Sequence, residues 1–190
     1  MEKVQETEFV PFDVWEEFNK SAFSYFHKGV VICSGDRTES NAMTISWGAL
    51  GNYLGHRHPT LTVYVAPARY THELMERHNR FTIMEFDDPE VNRYMGSHSG
   101  RPATEGSTCP DKKAADLGLH LAYTSGGTPY YEEARTVMEC EIMSALHQSS
   151  DDFRNDTPRK LYANFKAGIH TVYIAEIVGA WKKSGKGVGR

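Results

Sequence analysis

Ser40-Asn41-Ala42-Met43-Thr44-Ile45-Ser46-Trp47-Gly48 is the stretch on which the fold of this chain turns. From Ala42 to Trp47, small or polar side chains alternate loosely with larger apolar ones, which predicts a strand. A strand that only filled a core would not gather Ser40, Asn41, Thr44 and Ser46. Such groups beside a large aromatic make a lining for a flat polar ligand. A second strand, Leu61-Thr62-Val63-Tyr64-Val65, runs into Ala66-Pro67-Ala68-Arg69-Tyr70-Thr71. Thr71 is placed to cap a helix starting at His72, with Glu73 in its first turn. An arginine just before free helical N–H groups and the positive dipole end suits a phosphate monoester. An ordinary capped helix with a solvated arginine is the plainer reading of the same residues. The two stretches together form a candidate cofactor site.

Upstream, Gly29-Val30-Val31-Ile32-Cys33 reads as a buried strand. The Ser34-Gly35-Asp36 turn then makes the opening stretch its hairpin partner. Gly48, Gly51 and Gly55 predict a loop between Trp47 and Leu61. Residues 80–86 alternate cleanly as a half-buried strand, and Asp88-Pro89-Glu90 starts a helix that stops at Gly96. A long Ser/Gly/Thr/Pro/His loop over 97–110 opens with a second basic turn, Ser97-His98-Ser99-Gly100-Arg101, and a helix over 111–117 ends at Gly118. Further strands are expected at 136–143 and 171–178, and helices at 12–18, capped by Asp13, and from Thr157-Pro158. Residues 182–190 read as a frayed tail. Six strands, four short helices and no βαβ repetition predict a mainly β chain, an antiparallel barrel or sandwich with peripheral helices. One domain over 1–190 is expected, with its core at about 30–178, a helical N-terminal extension and a short C-terminal tail.

A formal charge of −4 argues against general nucleic-acid or anionic-membrane binding. No apolar run is long enough to span a bilayer, and the acidic start Met1-Glu2-Lys3-Val4-Gln5-Glu6 is no signal peptide. Three widely spaced cysteines suit a reducing cytoplasm, with Cys33 and Cys140 as small core residues and Cys109 exposed in its loop. Ten tyrosines leave room for an aromatic-lined pocket or a subunit interface.

His56-Arg57-His58 has no acidic or cysteine partner at ligand spacing, and His72, His78, His120 and His147 form no zinc or triad signature, so no metal is expected. There is no nucleophile elbow, no Gly-x-Gly-x-x-Gly and no phosphate-binding loop with a lysine, which argues against a Rossmann dinucleotide site. Gly168-Ile169-His170 leads into the last strand, so His170 matters only if that end of the sheet meets the ligand.

In order, Asn41-Ala42-Met43-Thr44-Ile45-Ser46-Trp47, Val65-Ala66-Pro67-Ala68-Arg69-Tyr70-Thr71, Gly96-Ser97-His98-Ser99-Gly100-Arg101, Leu117-Gly118-Leu119, Glu139-Cys140-Glu141 and His170 resemble the flavin reductase-like family of FMN-binding split barrels. The likeness is to its flavoredoxin-type branch and runs from about Val30 to Val178. That branch has an acidic residue soon after the Ser-Gly-Arg turn and an Asp-Lys pair close behind. Here Pro102 follows directly, and Asp111-Lys112 comes only after residues 103–110.

The resemblance implies a homodimer of antiparallel split barrels with FMN near the subunit interface, and NADH or NADPH as co-substrate. On that basis Ser46, Arg69, Thr71 and the helix N–H groups hold the phosphate, joined by Arg101. Asn41, Ala42, Met43 and Thr44 run along the ring edge and Trp47 packs near it. Tyr70, Ser99, Gly100 and Lys112 complete the cofactor set, and His170 borders the nicotinamide. No side chain acts as an acid or base. An electron carrier serving a redox partner protein, or a non-enzymatic flavin-binding module, fits the same residues.

Overall fold

The computed structural model of the chain describes residues 9–18, 22–55, 57–102 and 112–184. Its elements in order are β1 (Phe9–Pro11), α1 (Val14–Phe18), α2 (Ala22–His27), β2 (Val30–Gly35), β3 (Ser40–Ile45), β4 (Gly48–Asn52), β5 (Pro59–Val65), α3 (Tyr70–His78) and β6 (Arg80–Glu85). There follow α4 (Pro89–Ser97), α5 (Lys112–Leu117), β7 (Leu121–Tyr123), β8 (Pro129–Tyr131), β9 (Thr136–His147), α6 (Asp156–Tyr162) and β10 (Thr171–Lys183).

The main sheet is antiparallel throughout, in the order β3-β2-β6-β9-β10-β5-β4, with β1 added on β10. Its two edges, β3 and β4, are separated in the chain by Ser46 and Trp47 alone. A flat sheet could not bring its edges within two residues of each other, so this one curls into a barrel, the split-barrel arrangement. The β2–β3 hairpin begins at Asp36, whose Oδ1 accepts from the Thr38 N–H at 2.7 Å and the Glu39 N–H at 3.1 Å.

Two apolar layers explain why β2 is buried along its whole length. Val30 and Ile32 point into the barrel with Val63, Phe81, Ile83, Met138, Cys140 and Tyr173. Val31 and Cys33 point outward, under Val91 and Met95 of α4, Ala114 of α5 and Tyr131 of β8. A strand covered on both faces carries a continuous apolar run rather than an alternation. Cys33 and Cys140 are buried, and neither forms a disulfide among the described residues.

Several expectations change. The stretch expected as a loop after Trp47 is β4, an edge strand whose Gly48 has a reason other than flexibility. A Cβ there would stand 2.4 Å from the Phe26 ring and 2.8 Å from the Thr62 carbonyl oxygen. The β1 strand and the β7–β8 hairpin are additions, each of its strands only 3 residues long and too short to show a period. The strands β9 and β10 outrun their expected ends, and Lys182 and Lys183 are paired to β1 rather than frayed. Helix α6 is capped by Asn155, whose side chain accepts from the Thr157 N–H. His56, residues 103–110 with Cys109, Asp111 and the tail 185–190 lie outside the described residues, as do the side chains of Trp15 and Phe18. Among the described residues no helix is long and apolar enough to cross a membrane.

Candidate functional site

Helix α3 packs on β2, β3 and β6, burying Leu74 and Met75, and so brings its N-terminus beside β3. The turn that follows α4 lies against the same end. Between them is a cleft of about 240 Å³ lined by Asn41, Met43 and Thr44 of β3, residues 68–71, residues 95–101 and Lys113.

Asn41 is the centre of its wall. It is 3 % exposed, and its Nδ2 donates to Thr71 Oγ1 at 2.6 Å. Its Oδ1 is buried and has no hydrogen-bond partner among the described residues. Gly100 closes over it so tightly that a Cβ there would lie 1.7 Å from Oδ1. Buried amide groups are normally satisfied, so an unmet one facing a cleft marks a place for a polar ligand.

Three cationic side chains, Arg69, Arg101 and Lys113, line the cleft, and no carboxylate does among the described lining residues. Arg69 is exposed and is the residue immediately before α3, with extended backbone and no side-chain cap bond. Thr71 is therefore not the cap. It lies one residue inside the helix, fully buried, and its hydroxyl serves Asn41 instead. Arg101 crosses the mouth, lies over the Tyr70 ring at 5.2 Å, and donates through both terminal nitrogens to Glu73. The bond from Arg101 holds the Glu73 carboxyl below the usual carboxylate range.

Of the expected site residues, Asn41, Met43, Thr44, Arg69, Tyr70, Thr71, Ser99, Gly100 and Arg101 meet at this cleft. Ala42 lies beneath it, fully buried, with its carbonyl accepting from Lys113 Nζ. Ser46 is exposed at the corner between β3 and β4. Trp47 turns away to pack on His170, ring centroids 4.7 Å apart.

Lys112 is exposed, and its neighbour Lys113, only 2 % exposed, is the lysine of the cleft. Helical phase explains the correction: Ala114 and Leu117 pack inward, and Lys113, four residues before Leu117, shares their side of α5. That apolar spacing was the available signal for Lys113.

His170 forms a separate aromatic group with Trp47, Phe165 and Tyr162, whose hydroxyl lies 2.8 Å from His170 Nδ1. Burial, then the charge of Arg69, holds His170 below the ordinary imidazole range, so its ring is neutral at pH 7.

A curled antiparallel sheet with a cationic cleft at the start of α3 agrees with the family comparison, in which the flavin reductase-like domain model matches residues 23–188. The chain belongs to the flavin reductase-like family. No curated protein matches it. Among solved structures, an FMN-binding domain of a flavin reductase-like enzyme from Shewanella baltica is 17 % identical, with a TM-score of 0.61 over 92 % of this chain and 77 % of that one. Flavoredoxin from Methanosarcina acetivorans is 17 % identical, TM-score 0.59, covering 97 % of this chain and 74 % of its own. An NADH:FAD oxidoreductase of Streptomyces globisporus, solved with NAD and FAD fragments, is 16 % identical, TM-score 0.54, covering 81 % and 74 %. Likeness at this identity carries the flavin reductase-like fold alone.

Proposed function

We propose that this flavin reductase-like chain binds FMN non-covalently and acts as an NAD(P)H-dependent flavin reductase. The observation that carries the reading is the unmet Oδ1 of buried Asn41, on a wall shared with Arg69, Lys113 and the start of α3. Charge-assisted donors and free helical N–H groups are the chemistry of a phosphate site. Arg69, Lys113 and the first N–H groups of α3 would hold the phosphate, and β3 from Asn41 to Thr44 would run beside the ring. When bound, the flavin supplies hydride acceptance from a reduced nicotinamide.

The chain's own part is positioning. Thr71 fixes the Asn41 amide, Gly100 lets the turn close on it, and Arg101 spans the mouth toward Glu73. The neutral ring of His170 against Trp47 offers a flat border for the nicotinamide. At about 240 Å³ the cleft is smaller than the roughly 300–1,000 Å³ usual for a site that engulfs its ligand. A second copy of the chain completing the ring end fits that shortfall, so a homodimer belongs to the proposal.

Fluorescence titration with FMN, then anaerobic mixing with NADH or NADPH, tests the reading. Saturable bleaching of the flavin absorbance is the expected result. A protein that takes up no FMN overturns the whole proposal. FMN uptake with bleaching by neither nucleotide, but rapid reduction by a redox protein, replaces the reductase with an electron carrier.

A further inference from the structure

Clear of the cleft-lining residues of α3, His72 and Glu76 stand one helical turn apart and face the ends of two strands. His147 is the last residue of β9 and pairs with Thr171, the first residue of β10, with Tyr173 two residues further along. One ligand atom from each of His72, Glu76 and His147 lies within 4.8 Å of the other two. His147 Nε2 is 3.7 Å from Glu76 Oε2.

The surrounding groups are those that orient metal ligands. The Thr171 hydroxyl lies 2.9 Å from His72 Nε2 and 3.2 Å from His147 Nδ1, so one oxygen steadies both rings. The Tyr173 hydroxyl donates to Glu76 Oε1, leaving Oε2 on the side of His147. Such second contacts fix ring orientation and carboxylate direction at metal centres.

We propose that His72, Glu76 and His147 bind a divalent transition ion of the zinc type, with water as the fourth ligand. Two imidazoles and a carboxylate form a three-ligand zinc set, whereas magnesium and calcium take oxygen donors. Bonds of about 2.0–2.2 Å to a tetrahedral ion set its ligand atoms roughly 3.4 Å apart. The His147–Glu76 pair is within a few tenths of that spacing, and no gap has to close by more than about 1.4 Å. Side chains 61 % and 37 % exposed, for His147 and Glu76, have the freedom to make that movement and leave a solvent path for the ion. The ion would tie α3 to the ends of β9 and β10.

The test uses full-length, tag-free protein stripped with chelator and free of flavin, so its outcome is independent of FMN. Zn²⁺ is titrated in competition with a chromophoric chelator, and Co²⁺ binding is followed by its visible d–d bands. The expected result is one equivalent bound, with the intense bands of four-coordinate Co²⁺. His147→Ala and Glu76→Gln, both at partly exposed positions, should each weaken binding by roughly a hundredfold, at or above the upper end of second-contact losses. His58→Ala, which alters the separate surface contact with Glu176, should leave it unchanged. Absence of binding overturns the proposal. So does binding of equal strength in the wild type, His147→Ala and Glu76→Gln, which would assign the ion to scattered surface histidines.

Discussion

Thr71 and His72 are adjacent in the chain and both buried, yet they serve different sides of α3. Thr71 accepts from Asn41 on the cleft side, where positive charge gathers around an unmet amide oxygen. His72 faces Thr171, Glu76 and His147, where two imidazoles meet a carboxylate. The first is the side proposed for an anion and the second the side proposed for a cation, and about 100° of helical rotation separates them. A single short helix can present two charge environments when neighbouring residues point apart. Variants on one side should therefore change one ligand and leave the other alone.

The largest effect is expected from Asn41→Asp. It puts a carboxylate on the wall that Asn41 shares with Arg69 and Lys113, beside the proposed flavin, and removes the donor to Thr71. FMN affinity should fall by about 3 kcal/mol or more, roughly a hundredfold, while Zn²⁺ affinity stays within twofold. Coupled loss of both ligands would show that the two sides of α3 are not independent. Next in size is Arg69→Ala. Loss of one charge-assisted bond should weaken FMN by roughly 1.5–3 kcal/mol, and unchanged affinity by fluorescence titration would remove Arg69 from the site. Arg69 is exposed, so the melting temperature should hardly move.

The anion side was legible in the sequence because it is local. Arg69, Tyr70 and Thr71 are consecutive and carry the start of α3, although the helix begins at Tyr70 rather than at His72. The cation side was hidden because His72 and Glu76 meet His147 only through the pairing of β10 with both β5 and β9. Histidine spacing along the chain carries no trace of that. Strand β2 showed itself by its continuous apolar run and β6 by alternation, although β6 is buried from Phe81 to Met84 rather than on one face. The edge strand β4 did not, since its Gly48 answers to Phe26 and Thr62 rather than to an apolar pattern. Lys112 and Lys113 differ only in helical phase, which the packing of Ala114 decides.

A smaller effect is expected from Thr71→Val, which keeps the shape and deletes the acceptor for Asn41 Nδ2. A buried donor left unpaired costs about 1–3 kcal/mol. The melting temperature should fall, and FMN affinity should weaken less than in Arg69→Ala because Thr71 acts through Asn41. A melting temperature equal to wild type would mean that water replaces the threonine hydroxyl and that the Asn41 wall is looser than its burial implies.

The smallest effect concerns the Glu73–Arg101 pair, which sits where the two sides meet at the mouth of the cleft. Both partners are nearly half exposed, at 44 % and 46 %, so the pair contributes at most about 1 kcal/mol. Glu73 has its carboxyl pushed below the ordinary value of 4.5, first by the bond from Arg101. A carboxylate with a lowered folded pKa binds fewer protons folded than unfolded. Its stabilisation is therefore present above pH 4.5 and is lost as pH falls through the lowered folded value. Glu73→Gln should thus melt slightly below wild type at pH 7, and the two curves should converge in acid. At pH 7 the same variant frees Arg101 for the cleft and should tighten FMN modestly. A parallel loss of stability at every pH would reduce Glu73 to packing, and weaker FMN binding would show that Glu73 aims Arg101 at the ligand instead of holding it back.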